Sequence, residues 1–211
     1  KYNNTKGSEK NNFSTNYRFD DKLNLLYTHN EANSATQYRQ FTATSDKALN
    51  DRKYETKKDY LQLQYSDDNV KGTAYYNAGQ IDYTNYDVTK STFAYNLEKN
   101  RIYGLDVQKT WMVGDGKVLF GGSYQHEYYL PNDYASATTD YDRNNYALYG
   151  QYEKPLDDKN TVIVGARETW TGSTTGGKNY DNLSGSGQFV HKLNENERLY
   201  ASVTQSFRMP T

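Results

Sequence analysis

The 211 residues contain no cysteine, which excludes disulfide frameworks, thiolate metal sites and cysteine nucleophiles. With three prolines and fifteen glycines, the chain is neither proline-rich nor collagen-like. It has no run of about 18 apolar residues, and so no transmembrane helix. The opening Lys1-Tyr2-Asn3-Asn4-Thr5-Lys6 lacks the apolar stretch of a signal peptide. The 25 basic and 26 acidic residues leave a net charge of -1. That gives no global pull toward nucleic acid or anionic lipid, and no nucleic-acid partner is expected. Hydrophobic residues make up only 35%, and the mean hydropathy is -1.09. Such values suit a disordered chain, but disordered chains are poor in aromatics. Here aromatics reach 15%, and 23 of them are tyrosine.

Those residues alternate. Leu199, Ala201, Val203 and Phe207 share one parity, against Tyr200, Ser202, Thr204, Ser206 and Arg208. Tyr103, Leu105, Val107 and Trp111 oppose Gly104, Asp106, Gln108 and Thr110. Val70, Gly72, Ala74, Tyr76 and Ala78 oppose Lys71, Thr73, Tyr75 and Asn77. Val162, Val164, Ala166 and Trp170 oppose Ile163, Gly165, Arg167 and Thr169, and Leu61, Leu63 and Tyr65 oppose Gln62 and Gln64. Period two in β-rich residues predicts strands with one apolar face, and no stretch shows convincing helical spacing.

Compact turns fall at Asp20-Asp21, Asp67-Asp68-Asn69, Gly114-Asp115-Gly116, Asp157-Asp158-Lys159-Asn160 and Asn194-Glu195-Asn196-Glu197. Longer polar connections lie between them, roughly 32–56, 85–98, 130–143 and 173–180. The pattern predicts an all-β chain of about ten antiparallel strands in five hairpins, up-and-down, with short turns at one end and long loops at the other. Segments such as 99–112, 117–129, 144–154, 161–172 and 181–193 are far longer than the usual five or six or so residues. They match the nine to eleven or so tilted residues of a membrane-crossing strand. Trp111, Tyr128, Tyr129, Trp170 and Tyr200 are placed for an interfacial girdle. The whole of 1–211 therefore reads as part of a transmembrane β-barrel with periplasmic turns and extracellular loops.

The last strand carries a resemblance. Asn196-Glu197-Arg198-Leu199-Tyr200-Ala201-Ser202-Val203-Thr204-Gln205-Ser206-Phe207-Arg208-Met209-Pro210-Thr211 resembles the late-barrel segment of TonB-dependent outer-membrane receptors, in which such a strand runs into Phe-x-x-Pro-Ser/Thr. Upstream, Ala147-Leu148-Tyr149-Gly150-Gln151, Pro155-Leu156-Asp157-Asp158 and Val162-Ile163-Val164-Gly165-Ala166-Arg167 are similar to that family's strand–turn–strand pattern ending in Gly-x-Arg. Residues 144–211 carry the stronger part of the likeness, and 1–143 share the generic barrel rhythm. The resemblance implies a barrel of about 22 strands filled by a plug and importing scarce nutrients with energy passed on by TonB. It implies that these residues are a middle-to-late portion, less than half of the barrel, with plug, TonB box and final strands outside it. The expected cargo is a ferric siderophore or similar metal chelate, with haem or cobalamin as other cargoes. TonB, reached through the plug, and outer-membrane lipid are the other expected partners, and the expected location is the bacterial outer membrane.

No catalytic constellation emerges. His29, His126 and His191 show no metal-ligand spacing. His191 reads as a solvated strand-end side chain, while His126, beside Glu127, Tyr128 and Tyr129, is a candidate for ligand contact. Asp140-Tyr141-Asp142-Arg143-Asn144 opens like a calcium loop but lacks its sixth-position glycine and closing glutamate. Gly185-Ser186-Gly187 lacks the rest of a phosphate cradle, and no Gly-x-Ser-x-Gly elbow occurs. No enzyme activity, cofactor or metal site is expected. The polar connections are more informative. Tyr38, Arg39, Tyr83, Tyr86, His126, Tyr128, Tyr129, Tyr134 and Arg143 are the expected ligand contacts at a loop mouth. Tyrosine offers a flat apolar face with a hydroxyl, and arginine adds cation–π and carboxylate contacts. Two other functions fit the same strands: a passive porin or adhesin-type barrel, and a soluble β-sheet carbohydrate-binding module using exposed tyrosines.

Overall fold

The computed structural model describes residues 5–42, 45–87, 92–136, 139–173 and 179–206, with side chains from 8–34, 53–84 and, beyond 91, wherever the backbone is described. Among the described residues all regular structure is strand: β1 (Thr5–Arg18), β2 (Leu23–Thr42), β3 (Ser45–Ser66), β4 (Val70–Asp87), β5 (Thr92–Val113), β6 (Gly116–Leu130), β7 (Tyr141–Pro155), β8 (Asn160–Ser173), β9 (Tyr180–Lys192) and β10 (Arg198–Thr204). They form one ten-stranded sheet in chain order, each strand antiparallel to the next. β1 and β10 are the two edges, so within this chain the sheet stays open.

Four of the short turns share one device. The first residue's side-chain oxygen accepts backbone N–H bonds from two and three residues on. Asp20 takes Lys22 and Leu23, both at 2.7 Å. Asp67 takes Asn69 and Val70 at 2.8 and 2.6 Å, and Asp157 takes Lys159 and Asn160, both at 2.8 Å. Asn194 takes Asn196 and Glu197 at 2.9 and 3.0 Å. These are Asx turns, which spend a short polar side chain on backbone donors that the ladder leaves unpaired. The fifth, between β5 and β6, instead uses Gly114 at φ 62°, a left-handed conformation that glycine adopts without strain.

Register sorts most side chains by face, although Glu168 and Asp181 fall in the apolar rows at β8 and β9. One row across the sheet reads Tyr17, Leu25, Leu63, Ala74, Leu105, Tyr124, Tyr146 and Trp170. The next row toward the short turns adds Leu23, Tyr65, Gly72, Val107, Gly122 and Leu148. The opposite face carries Gln62, Tyr75, Asp106, Gln125, Asn145 and Thr171. No second layer covers the apolar face. Leu105 and Leu148 are 48% exposed and Val203 80%, and the apolar core among the described residues is Ala147 alone. A soluble protein rarely leaves so large a contiguous apolar surface bare. A barrel wall presents it to lipid.

Two of the expected long loops are themselves strand. β2 and β3 stay paired up to Thr42 opposite Ser45, and β4 and β5 up to Asp87 opposite Thr92. Ladder pairing persists there although the sequence has lost its regular apolar alternation, because a hairpin already in register adds pairs without closing a new loop. The third connection is irregular over 131–136 as expected. The fourth lies mostly outside the described residues, as does the Phe207–Thr211 ending. Of the expected girdle, Trp111, Tyr128 and Trp170 stand on the apolar face, while Tyr129 and Tyr200 stand on the polar one. Adjacent residues of a strand point to opposite sides, so Tyr128 and Tyr129 cannot share a face. The observed aromatic side chains are instead Tyr27, Tyr76 and Tyr103 in the row above Leu105, continued by Tyr124, Tyr146 and Trp170 in the row of Leu105 itself.

Candidate functional site

The polar face carries two hydrogen-bonded clusters on and beside β6. Tyr75 donates its hydroxyl to Gln125 at 2.6 Å. Gln125 donates to Glu127 Oε1 at 2.5 Å, and Asn145 reaches the same oxygen at 3.1 Å. The other Glu127 oxygen accepts from Arg143 Nε at 2.9 Å and also from its Nη2. Thr171 Oγ1 donates to Asn145 at 2.9 Å. One turn of the ladder nearer the short turns, Tyr149 donates to Asp106 at 2.9 Å. Arg167 lies over its ring at 5.3 Å and donates to Ser123 at 3.2 Å. Tyr75 and Tyr149 reach these partners because each faces a glycine. A Cβ on Gly104 would stand 2.6 Å from the Tyr75 hydroxyl, and one on Gly121 would stand 2.5 Å from the Tyr149 ring. Glycine in a strand here admits a neighbouring ring flat against the wall.

Above both clusters, toward the long connections, tyrosines gather around one carboxylate. Tyr83 donates to Glu98 at 3.0 Å, and its ring lies 6.3 Å from that of Tyr54. Tyr129 stacks with Tyr141 at 6.3 Å and 24°. Tyr129 also meets the Glu98 carboxylate. The cluster presents apolar ring faces, hydroxyl donors and a carboxylate acceptor, an arrangement that recognises through stacking and hydrogen bonds together.

The expected site residues divide between the two faces. Tyr83, Tyr129 and Arg143 stand on the polar face, in or beside these clusters. His126 and Tyr128 stand on the apolar side. His126 stacks on Tyr103 at 4.7 Å and meets Asn144 at 3.0 Å, and Arg101 lies over Tyr128 at 4.7 Å. Tyr134 is in the 131–136 loop and donates to Asp82 at 2.9 Å, a residue in register with the apolar-side row through Glu55 and Leu97. The side chains of Tyr38, Arg39 and Tyr86 lie outside the described residues. Tyr75, Glu98, Asp106, Gln125, Glu127, Asn145, Tyr149 and Arg167 were not singled out by sequence, although their parity, opposite to the apolar residues, marks all of them as one surface. The remaining motifs dissolve into strand. Asp142, Arg143 and Asn144 begin β7, and Gly185–Gly187 lies within β9. His191 pairs with Asn160 at 2.7 Å beside a short turn. No group of three or more metal-ligating side chains occurs among the described residues.

A family model described as TonB dependent receptor-like, beta-barrel, matches residues 1–211. No curated protein matches the chain significantly. Among solved structures, the copper transporter OprC is similar with TM-score 0.64 and 14% identity, over 97% of this chain and 37% of that one. The FrpB iron transporter from Neisseria meningitidis gives 0.64 and 14%, over 93% and 36%. The alcaligin outer-membrane receptor FauA from Bordetella pertussis gives 0.59 and 12%, over 93% and 35%. At such identities the likeness establishes the fold alone. The chain spans little more than a third of each of these proteins.

Proposed function

This chain belongs to the TonB-dependent receptor β-barrel family of the outer membrane, and on that premise we propose that it forms part of the wall of a transporter for a ferric siderophore or similar metal chelate. Haem and cobalamin are the alternative cargoes. The short Asx turns face the periplasm, the extended hairpin arms rise outside the cell, and the apolar rows meet lipid. The polar face lines the lumen. Cargo first meets the Tyr54, Tyr83, Glu98, Tyr129 and Tyr141 cluster. It then passes the hydrated wall of Gln125, Glu127, Arg143, Asp106 and Arg167, once the plug, driven through TonB, has rearranged. The wall residues hold one another by hydrogen bonds, so they offer exchangeable partners to a passing solute without leaving an unpaired charge in the wall.

The observation that carries this reading is the separation of one bare, largely apolar face from one polar face with hydrogen-bonded clusters, along strands long enough to cross a bilayer. Iron, copper and alcaligin all appear among the solved relatives' descriptions, which supports a metal or metal-chelate cargo as a class. The test is uptake of ⁵⁵Fe-labelled siderophores, labelled haem and labelled cobalamin by source cells lacking the full-length protein and by complemented cells. Loss of one chelate's energised uptake on deletion, restored by complementation, supports the proposal. Unchanged uptake of every chelate would contradict it.

A further inference from the structure

We propose that Glu98, flanked by Tyr54, Tyr83, Tyr129 and Tyr141, binds a positively charged group of the cargo, an ammonium or similar organic cation. The site thereby selects a cationic metal chelate over a neutral or anionic one. It rests on the reading of this face as the lumen and adds to that reading the charge of the cargo. Glu98 lies on β5 between two tyrosine pairs. On one side Tyr54 and Tyr83 are direct partners across β3 and β4, with rings 6.3 Å apart. On the other, Tyr129 and Tyr141 are partners across β6 and β7, stacked at 6.3 Å. Tyr83 donates its hydroxyl to the carboxylate at 3.0 Å from β4, and Tyr129 meets it from β6. Tyr54, Tyr129 and Tyr141 each keep 40% or more of their surface exposed, so their rings are open to a solute.

The carboxylate has no cation of its own. Among the described residues Glu98 forms no ion pair, and the cations around it are engaged elsewhere. Arg143 gives both Nε and Nη2 to Glu127. Lys53, Lys57 and Lys99 stand on the opposite face, paired with Glu55, Glu31 and Asp133. Lys58 shares the face of Glu98 but stands two strands away, across Gly79. Asn100 fills the space between them, since a Cβ on Gly79 would lie 2.5 Å from the Asn100 Oδ1. Two phenols take up part of a carboxylate's capacity of about four acceptor sites, which leaves room for a donor that brings charge. Tyrosine rings turn a negative face toward a cation, and a carboxylate among them adds a full charge. An anionic chelate meets an uncompensated like charge at the same place and loses affinity for it. Phenols alone serve any flat ligand; the unpaired acid among them sets the sign.

The experiment uses the full-length protein in detergent at low ionic strength, with ferric chelates that differ only at one amine. Ferric ferrioxamine B ends in a free ammonium, its N-acetyl derivative is neutral there, and its N-succinyl derivative ends in a carboxylate. Binding is read by quenching of intrinsic fluorescence. The site predicts that acetylation weakens binding about tenfold, the worth of one cation held by aromatic faces and a carboxylate. Succinylation is expected to weaken it further. Glu98→Gln keeps an acceptor for both phenols and loses the charge, so its affinities for the three should converge to within about twofold. Tyr141→Leu removes one ring and leaves the carboxylate, and should shrink the acetylation effect by about threefold. Both variants are compared only where they keep the gel mobility of a folded barrel. Equal affinities in the wild-type protein, an order favouring the succinyl form, or no binding of any of the three would overturn the site. So would a tenfold or so ammonium preference that survives in both variants. If complementation still restores uptake of some chelate alongside such a result, the charge assignment alone falls and the transporter reading stands.

Discussion

The ring of Tyr149 occupies the space that a side chain on Gly121, its direct partner across β6 and β7, would fill, with ring atoms 2.5 to 2.6 Å from the position of that absent Cβ. The glycine sets the ring's place, and the ring sets the hydroxyl on Asp106 at 2.9 Å. Gly121→Ala is therefore expected to displace Tyr149, break that bond and destabilise the barrel by about 1–3 kcal/mol, as overpacking does elsewhere. Urea unfolding of the full-length protein in vesicles measures it. Tyr149→Ala in the same background relieves the clash, so the double variant should be more stable than the sum of the two losses.

Lipid exposure makes a second, directional claim. Lysine at Val107 or Val203, both on the apolar face, is expected to cost about 2–4 kcal/mol if each lies near the bilayer midplane. Lysine at Thr73, on the polar face beside Asp106, should cost little. The same vesicle unfolding assay compares the three, and a large loss at Thr73 with none at Val107 would reverse the faces.

The strands, their sidedness and their turns were legible because lipid on one side and water on the other impose period two, and because an Asx turn needs one short polar side chain at a fixed offset. The arms were not. Beyond Tyr27 on β2 and Leu61 on β3 both parities become polar, so alternation no longer distinguishes Asn33 in a ladder from Asn33 in a loop. The sites needed register. That Tyr83 meets Glu98 follows only from the β4–β5 pairing, and the fit of Tyr149 to Gly121 only from β6–β7. His126 is different: it shares parity with Phe120 and Tyr124, so its place on the outer surface was readable from its own strand.

Acid should weaken the periplasmic turns. In Asp67 the backbone N–H groups of Val70 and Asn69, then the Tyr65 hydroxyl, hold the carboxyl pKa below 3.8. A depressed folded value gives stabilisation that is complete above the unfolded pKa and fades as pH falls through the folded one. Asp67→Ala should thus slow hairpin formation and lower stability at neutral pH, and the difference from wild type should shrink below about pH 4. Refolding yields measured across pH 2–7 or so check the direction.

The tyrosine cluster carries the binding claim. Tyr83→Ala and Tyr129→Ala are each expected to weaken cargo binding by about threefold to tenfold, in line with the worth of one aromatic contact. Folding should be little affected, since both stand on the polar face and not in the lipid-facing rows. Tyr83→Phe keeps the ring and loses only the Glu98 bond, so its effect should be smaller. Quenching of intrinsic fluorescence by the chelate identified from uptake provides the measurement.

The most direct test of the account is a cysteine scan along β5, in a segment with no native cysteine. Single cysteines at 102, 103 and 105 through 108 in the full-length, membrane-embedded protein are reacted with a water-soluble maleimide and, separately, probed with a lipid-confined quencher. A membrane-spanning wall predicts alternation: lipid contact at Tyr103, Leu105 and Val107, and aqueous access at Ile102, Asp106 and Gln108, with 104 left out because a side chain there would meet the Tyr75 ring. Uniform aqueous labelling at every position would contradict a membrane-spanning wall, and with it the transporter built upon it.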